Sequence, residues 1–162
     1  MLKARIFLAI LVLAEPMWAS DPFVGTWELN IAKSEFPSTL LEALGIPGPK
    51  QETIVVRELN GDEIEVIVTG TNIDGSPNSQ KYAVPIQGGI ERYRQGNPPN
   101  GSYYVQIRIN EREKYRTLLE NGIQGILQHI VVAQDGKETN LTISFMDKKG
   151  QPLEGLYVFE KQ

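Results

Sequence analysis

The residues able to do chemistry are few in this chain, and their types narrow the options sharply. It has one histidine, His129, and no cysteine among 162 residues. A zinc or copper site needs several imidazole or thiolate ligands, so no metal site is expected. A lone histidine inside a barrel can hold haem iron. Set between Gln128 and Ile130 in a strand-patterned stretch, His129 reads instead as a hydrogen-bonded or surface side chain. A serine triad would have to use His129, and no serine lies in a Gly-x-Ser-x-Gly elbow. Neither a phosphate-cradling P-loop nor a Gly-x-Gly-x-x-Gly helix opening occurs. Glu63 with Glu65, and Glu111 with Glu113, are carboxylate pairs two residues apart. In a strand such pairs share a face, and for the first pair it is the face turned to water, so they read as solubilising charges. Glu113, Lys114 and Arg116 read the same way, as a solvated strand of mixed charge. No catalytic residue and no cofactor is expected, and the chain reads as a non-enzyme.

One cluster points to a ligand. Arg92, Tyr93 and Arg94 lie in Gly88–Gly101, a glycine- and proline-rich stretch that interrupts an otherwise regular alternation of strands and turns. Loops at the end of a β-scaffold concentrate binding residues, and paired guanidinium groups suit an anionic partner. These three residues are the candidate ligand contacts.

The elements that must position them are mostly strands. Ile64, Val66 and Val68 alternate with polar neighbours, as do Leu141, Ile143 and Phe145. Tyr103, Val105, Ile107 and Ile109 alternate with Tyr104, Gln106, Arg108 and Asn110. Each pattern predicts an antiparallel strand with its apolar face on a core and its polar face in water. Turn glycines recur at equal intervals, first at Gly61, Gly75 and Gly89, then at Gly122, Gly136 and Gly150. Asn-Gly and Asp-Gly are strong hairpin signals because the turn needs positive φ. Ser38–Gly45 is the one convincing helix, with Ser38 as N-cap and Gly45 as its stop. Long consecutive hairpins form a meander, and closing it removes its exposed edges. The expected fold is therefore all-β: an up-and-down antiparallel barrel of about eight to ten strands, with one short helix after the first strand.

Residues 1–20 have the order of a secretory signal. Lys3 and Arg5 precede the apolar run Ile6–Leu13, and Pro16 and small residues follow it. The run is far shorter than the ~20 residues of a membrane-spanning helix. Two domains of function are thus expected: a signal over 1–20 and a barrel over 21–162, exported to the periplasm or secreted, with no span in the mature protein. Loss of the segment removes two positive charges and one negative, taking the net charge from −4 to −5. An acidic surface argues against nucleic acid as partner. Without disulfides, the core alone must hold the fold.

The stretch Asp21-Pro22-Phe23-Val24-Gly25-Thr26-Trp27-Glu28-Leu29-Asn30, followed by Ala32-Lys33-Ser34, resembles the opening of small exported bacterial proteins of the lipocalin-like, calycin-type β-barrel kind. Asp74–Pro77, Asp135–Lys137 and the C-terminal Tyr157–Gln162 extend the likeness along the chain. In lipocalins a Gly-x-Trp marks the first strand, and its tryptophan closes the barrel base beside a basic residue from the barrel's end. The resemblance therefore implies a barrel-closing role for Gly25 and Trp27, with Lys161 as the basic partner. It brings no catalytic residues. The expected function is binding of a small apolar or amphipathic molecule inside the barrel; the alternative is a filled barrel that serves as an interaction protein of the cell envelope.

Overall fold

Gly25–Leu29, the first strand (β1), is the place where the sheet begins and also where it meets its own end. The computed structural model describes residues 21–96 and 102–162. The expected secretory signal over 1–20 and the expected Pro98-Pro99-Asn100-Gly101 turn lie outside the described residues.

After β1 comes the helix α1 (Ser38–Leu44), then β2 (Pro49–Glu58), β3 (Glu63–Asn72), β4 (Pro77–Pro85), β5 (Gly88–Ile90) and β6 (Arg92–Gln95). There follow β7 (Ser102–Asn110), β8 (Glu113–Glu120), β9 (Ile123–Val132), β10 (Glu138–Met146) and β11 (Pro152–Lys161). They form one 11-stranded antiparallel sheet in the order β5-β7-β8-β9-β10-β11-β1-β2-β3-β4-β6. The sheet curls into a nearly closed barrel. β1 joins β11 on one side, with Trp27 opposite Lys161, and β2 on the other, with Trp27 opposite Ile54. The turn glycines Gly61, Gly75, Gly122, Gly136 and Gly150 all have positive φ, as hairpin turns require.

The strand count exceeds the expected eight to ten because Gly88–Gln95 is not a loop. Its first half pairs with β7 and its second half with β4, so a single stretch bridges the two edges of the sheet. Glu91 marks the switch, and its N–H donates to the Tyr104 carbonyl oxygen at 2.9 Å. Gly88 makes this possible. Its φ is +96°, and a side chain there would come within 2.6 Å of the Gln106 carbonyl oxygen. The expected turn at Gly88-Gly89 is instead made by Ile86 and Gln87.

The helix departs from expectation in its start. Pro37 is the N-cap residue and Ser38 is the first helical residue, with no side-chain cap; the stop is Gly45 in a left-handed conformation, as read from sequence. Leu40 is fully buried. It fits against β11 because Gly155 has no side chain to fill that space.

The apolar core gathers Phe23, Trp27, Val56, Ile64, Val66, Tyr82, Val84, Val132 and Phe159, among others, inside the barrel. Trp27 donates from Nε1 to the Phe23 carbonyl oxygen at 2.9 Å, locking the lead-in loop under the barrel. Lys161 Nζ stands 5.0 Å from the centre of the Trp27 ring. Gly25, at φ +145°, clears the way, since a Cβ there would lie 2.5 Å from Lys161 Cε.

Candidate functional site

The strands were expected to turn apolar faces inward throughout, and β7 and β8 do not. Ile107 and Ile109 are 54% and 53% exposed, whereas Gln106 is buried. Lys114 and Arg116 of β8 are buried too, not solvated. A period of two separates two faces of a strand and does not say which one is inside. Here Gln106 and Arg116 survive burial because Glu91 and Gln128 satisfy them.

Their centre is Arg116. Its Nε donates to Glu91 Oε1 at 2.6 Å and its Nη2 to Glu91 Oε2 at 2.9 Å. Nη1 donates to Gln128 Oε1 at 3.1 Å, and Nη2 also meets the Tyr93 hydroxyl at 2.6 Å. Gln106 Nε2 donates to Glu91 Oε1 at 2.7 Å. The guanidinium lies 3.7 Å from the Tyr104 ring centre and 5.0 Å from that of Tyr82. Burial of charge is costly unless the pair is bidentate and its remaining bonds are met, and both conditions hold here. Burial pushes the phenols of Tyr82, Tyr93 and Tyr104 upward, so they stay neutral donors.

Arg116, Gln128, Tyr82 and Tyr104 of this cluster line a cavity of about 320 Å³. The barrel is hollow. Ile54, Val66, Val68, Ile126, Ile130 and Leu141 supply apolar wall, and Trp27 with Phe23 forms the floor. Leu44, Ile46 and Pro47, at the end of α1 and just after it, stand at the mouth. The volume lies at the lower end of the ~300–1,000 Å³ usual for small-molecule sites.

Two further charged groups face this cavity. Glu52 accepts a hydrogen bond from Asn78 Nδ2 at 2.6 Å. The two reach each other across Gly70, which pairs with Glu52 on one side and Asn78 on the other. Burial raises the Glu52 carboxyl to about 7, against the opposing effects of Asn78 and Arg116. Lys114 has no hydrogen-bond or ion-pair partner among the described residues, and its Nζ lies 4.3 Å from the Phe23 ring centre. Thr139 Oγ1 is buried without a partner among the described residues, on the same wall.

The three candidates from sequence are distributed over both faces of the barrel. Arg92 is on the outside and pairs with Glu63. Arg94 is also outside, with Nη1 3.5 Å from Glu65. Glu65 lies under an arch of cations formed by Arg57, Lys81 and Arg94, and bonds from Arg57 and Lys81 hold its carboxyl below the usual range. Tyr93 turns inward, stacking on Tyr82 at 5.2 Å and bonding Arg116. His129 is on the outer face, stacked on Tyr115 at 4.5 Å with its Nε2 2.9 Å from Glu113. Among the described residues no group of three or more His, Cys, Asp or Glu side chains is placed to hold a metal.

Glu52, Glu91, Gln106, Lys114, Arg116 and Gln128 went unrecognised in the sequence. The usable signal was that β7 carries a strongly polar face, Tyr104, Gln106 and Arg108, beside a wholly apolar one.

No protein-family model and no curated protein matches the chain in sequence. Among solved structures, the fluorescent protein UnaG matches with a TM-score of 0.59 at 14% identity, over 86% of this chain and 97% of that one. Zebrafish ileal bile acid-binding protein, complexed with cholic acid, matches with a TM-score of 0.55 at 13% identity, over 87% and 99%. At such identity the likeness is one of fold. The chain has the fold of a calycin-type β-barrel, the fold its opening residues suggested.

Proposed function

We propose that this protein binds one small amphipathic or apolar molecule inside its barrel and releases it unchanged. The observation that carries this reading is the cavity of about 320 Å³, which combines apolar wall with polar groups held ready inside. The Arg116–Glu91 cluster is already neutralised and hydrogen-bonded, so it costs little to keep dry. Glu52 and Lys114 remain to meet a polar end of the guest. The bile acid-binding neighbour, which holds cholic acid, lends support.

The setting we propose is outside the cytoplasm. Its support is the Lys3 and Arg5, apolar run and Pro16 order of residues 1–20, with the bacterial lipocalin-like opening from Asp21. No helix among the described residues is long and apolar enough to cross a membrane.

The test is uptake of the neutral solvatochromic dye prodan by the purified protein, read as a blue shift with saturable one-to-one binding. Native mass spectrometry of protein from its own host would then identify the natural guest. Dye that binds without saturation, or only to unfolded protein, would sink the proposal.

The interaction-protein alternative keeps one observation in its favour. Ile90, Ile107, Ile109 and Ile123 are all exposed on or beside the outer face of β5, β7 and β9. Exposed apolar area of this kind suits a protein contact. The hollow interior removes the filled-barrel half of that reading.

A further inference from the structure

Five basic or acidic side chains of the interior have charged or strong hydrogen-bond partners. Arg116 holds Glu91, Arg108 pairs with Asp21, and Glu52 holds Asn78. Lys114 is the exception. Its side chain is buried, it lines the cavity, and among the described residues its only close polar contact is the face of Phe23. An amine in such a place faces the guest directly, in a chamber walled by Phe23, Trp27 and Ile130.

We propose that Lys114 captures guests bearing an aldehyde as a covalent imine inside the barrel. The inference rests on the reading of the barrel as a binder and names a chemical class for its guest. The Nζ lone pair of the neutral amine adds to the carbonyl carbon while one Nζ proton passes to the carbonyl oxygen. The resulting hydroxyl takes up a proton from solvent and leaves as water, giving the protonated C=N bond. No oxidant or reductant is consumed, and the step reverses by addition of water.

Three features favour this step. First, the amine is available. Burial lowers the Lys114 ammonium to about 8, against the pull of Glu91 and Asp21 and with the push of Arg116 and Arg108. Second, a protonated imine carries the same single positive charge as the ammonium. It inherits the Phe23 ring face and the field of Glu91 and Asp21 without new unpaired charge. Third, apolar walls keep water scarce around the C=N bond, which slows its hydrolysis.

The experiment is reductive trapping. The whole protein is incubated with decanal and sodium cyanoborohydride near neutral pH, and alkylated lysines are mapped by peptide mass spectrometry. The expected result is one decyl group per chain, on Lys114, forming at least about tenfold faster than on any surface lysine. Excess decanol should slow that site alone. A Lys114→Met variant should lose the adduct. Because the wild-type map needs no variant, a variant that misfolds leaves the test intact. Decyl groups scattered over surface lysines, with prodan uptake intact, would overturn covalent capture and leave the binding function standing. Loss of both prodan uptake and the Lys114 adduct would overturn both.

Discussion

The Glu91 carboxylate and the Arg116 guanidinium meet in two parallel hydrogen bonds, of 2.6 and 2.9 Å, at the seam where the sheet closes. Glu91 is the residue between β5 and β6, the point at which the chain leaves one sheet edge for the other. The side chain of that switch residue is therefore anchored in the barrel interior, and closure and interior polarity depend on the same pair.

Removing one partner should be costly. Glu91→Ala leaves Arg116 buried and uncompensated, and should lower stability by about 3–5 kcal/mol. Replacing both, as Glu91→Leu with Arg116→Met, should recover most of that loss. Urea denaturation of the singles and the double checks it; a double variant no more stable than either single would contradict the pairing.

Glu52 predicts a pH dependence. Its carboxyl sits at about 7 in the folded chain against an ordinary 4.5. Between those values the folded protein holds a proton that the unfolded chain has released. Its contribution to stability is therefore full below about 4.5 and is lost as pH rises through about 7. Glu52→Gln should remove this slope and be more stable than wild type at pH 8, by about 1–3 kcal/mol. Thermal unfolding at a series of pH values reads the difference. Parallel profiles for the two proteins would show that Glu52 ionises freely.

Filling the cavity should abolish binding without unfolding the barrel. Val68→Phe and Leu141→Phe each add bulk where the wall faces empty space. Prodan affinity should fall at least about tenfold for the pair, while circular dichroism keeps its β signature. Undiminished affinity would place the dye elsewhere.

The inverted face of β7 makes an opposite pair of predictions. Ile107→Lys sits at an exposed position and should change stability by less than about 0.5 kcal/mol. Gln106→Leu removes a donor from buried Glu91 and should cost about 1–3 kcal/mol, even though it adds an apolar side chain. Chemical denaturation ranks the two.

The barrel was legible in sequence where local chemistry forces the backbone. Asn-Gly and Asp-Gly turns require positive φ, and Ile64, Val66 and Val68 alternate in a strand whose outer face is charged. Gly25 and Trp27 lie in the strand that meets β11, and Lys161 stands over the Trp27 ring. The site was not legible, because its residues are inward only by virtue of partners far away in sequence. Arg116 looks like a surface charge until Glu91 is brought to it across the seam. Gly88 looks like a turn until its close approach to Gln106 is seen. Nothing local distinguishes the polar inner face of β8 from a polar outer one.

The pairing of β1 with β11 sets an order in time. Asn30 Nδ2 reaches Glu160 Oε1 at 3.0 Å, across 130 residues of chain. During synthesis β1 has only β2 for a neighbour until the last strand is made, so the barrel cannot shut on a partial chain. Contacts this distant form late because the loop between them must first be ordered. The guest chamber is thus the last part of the molecule to exist: it comes into being only when Pro152–Lys161 slides between β10 and β1.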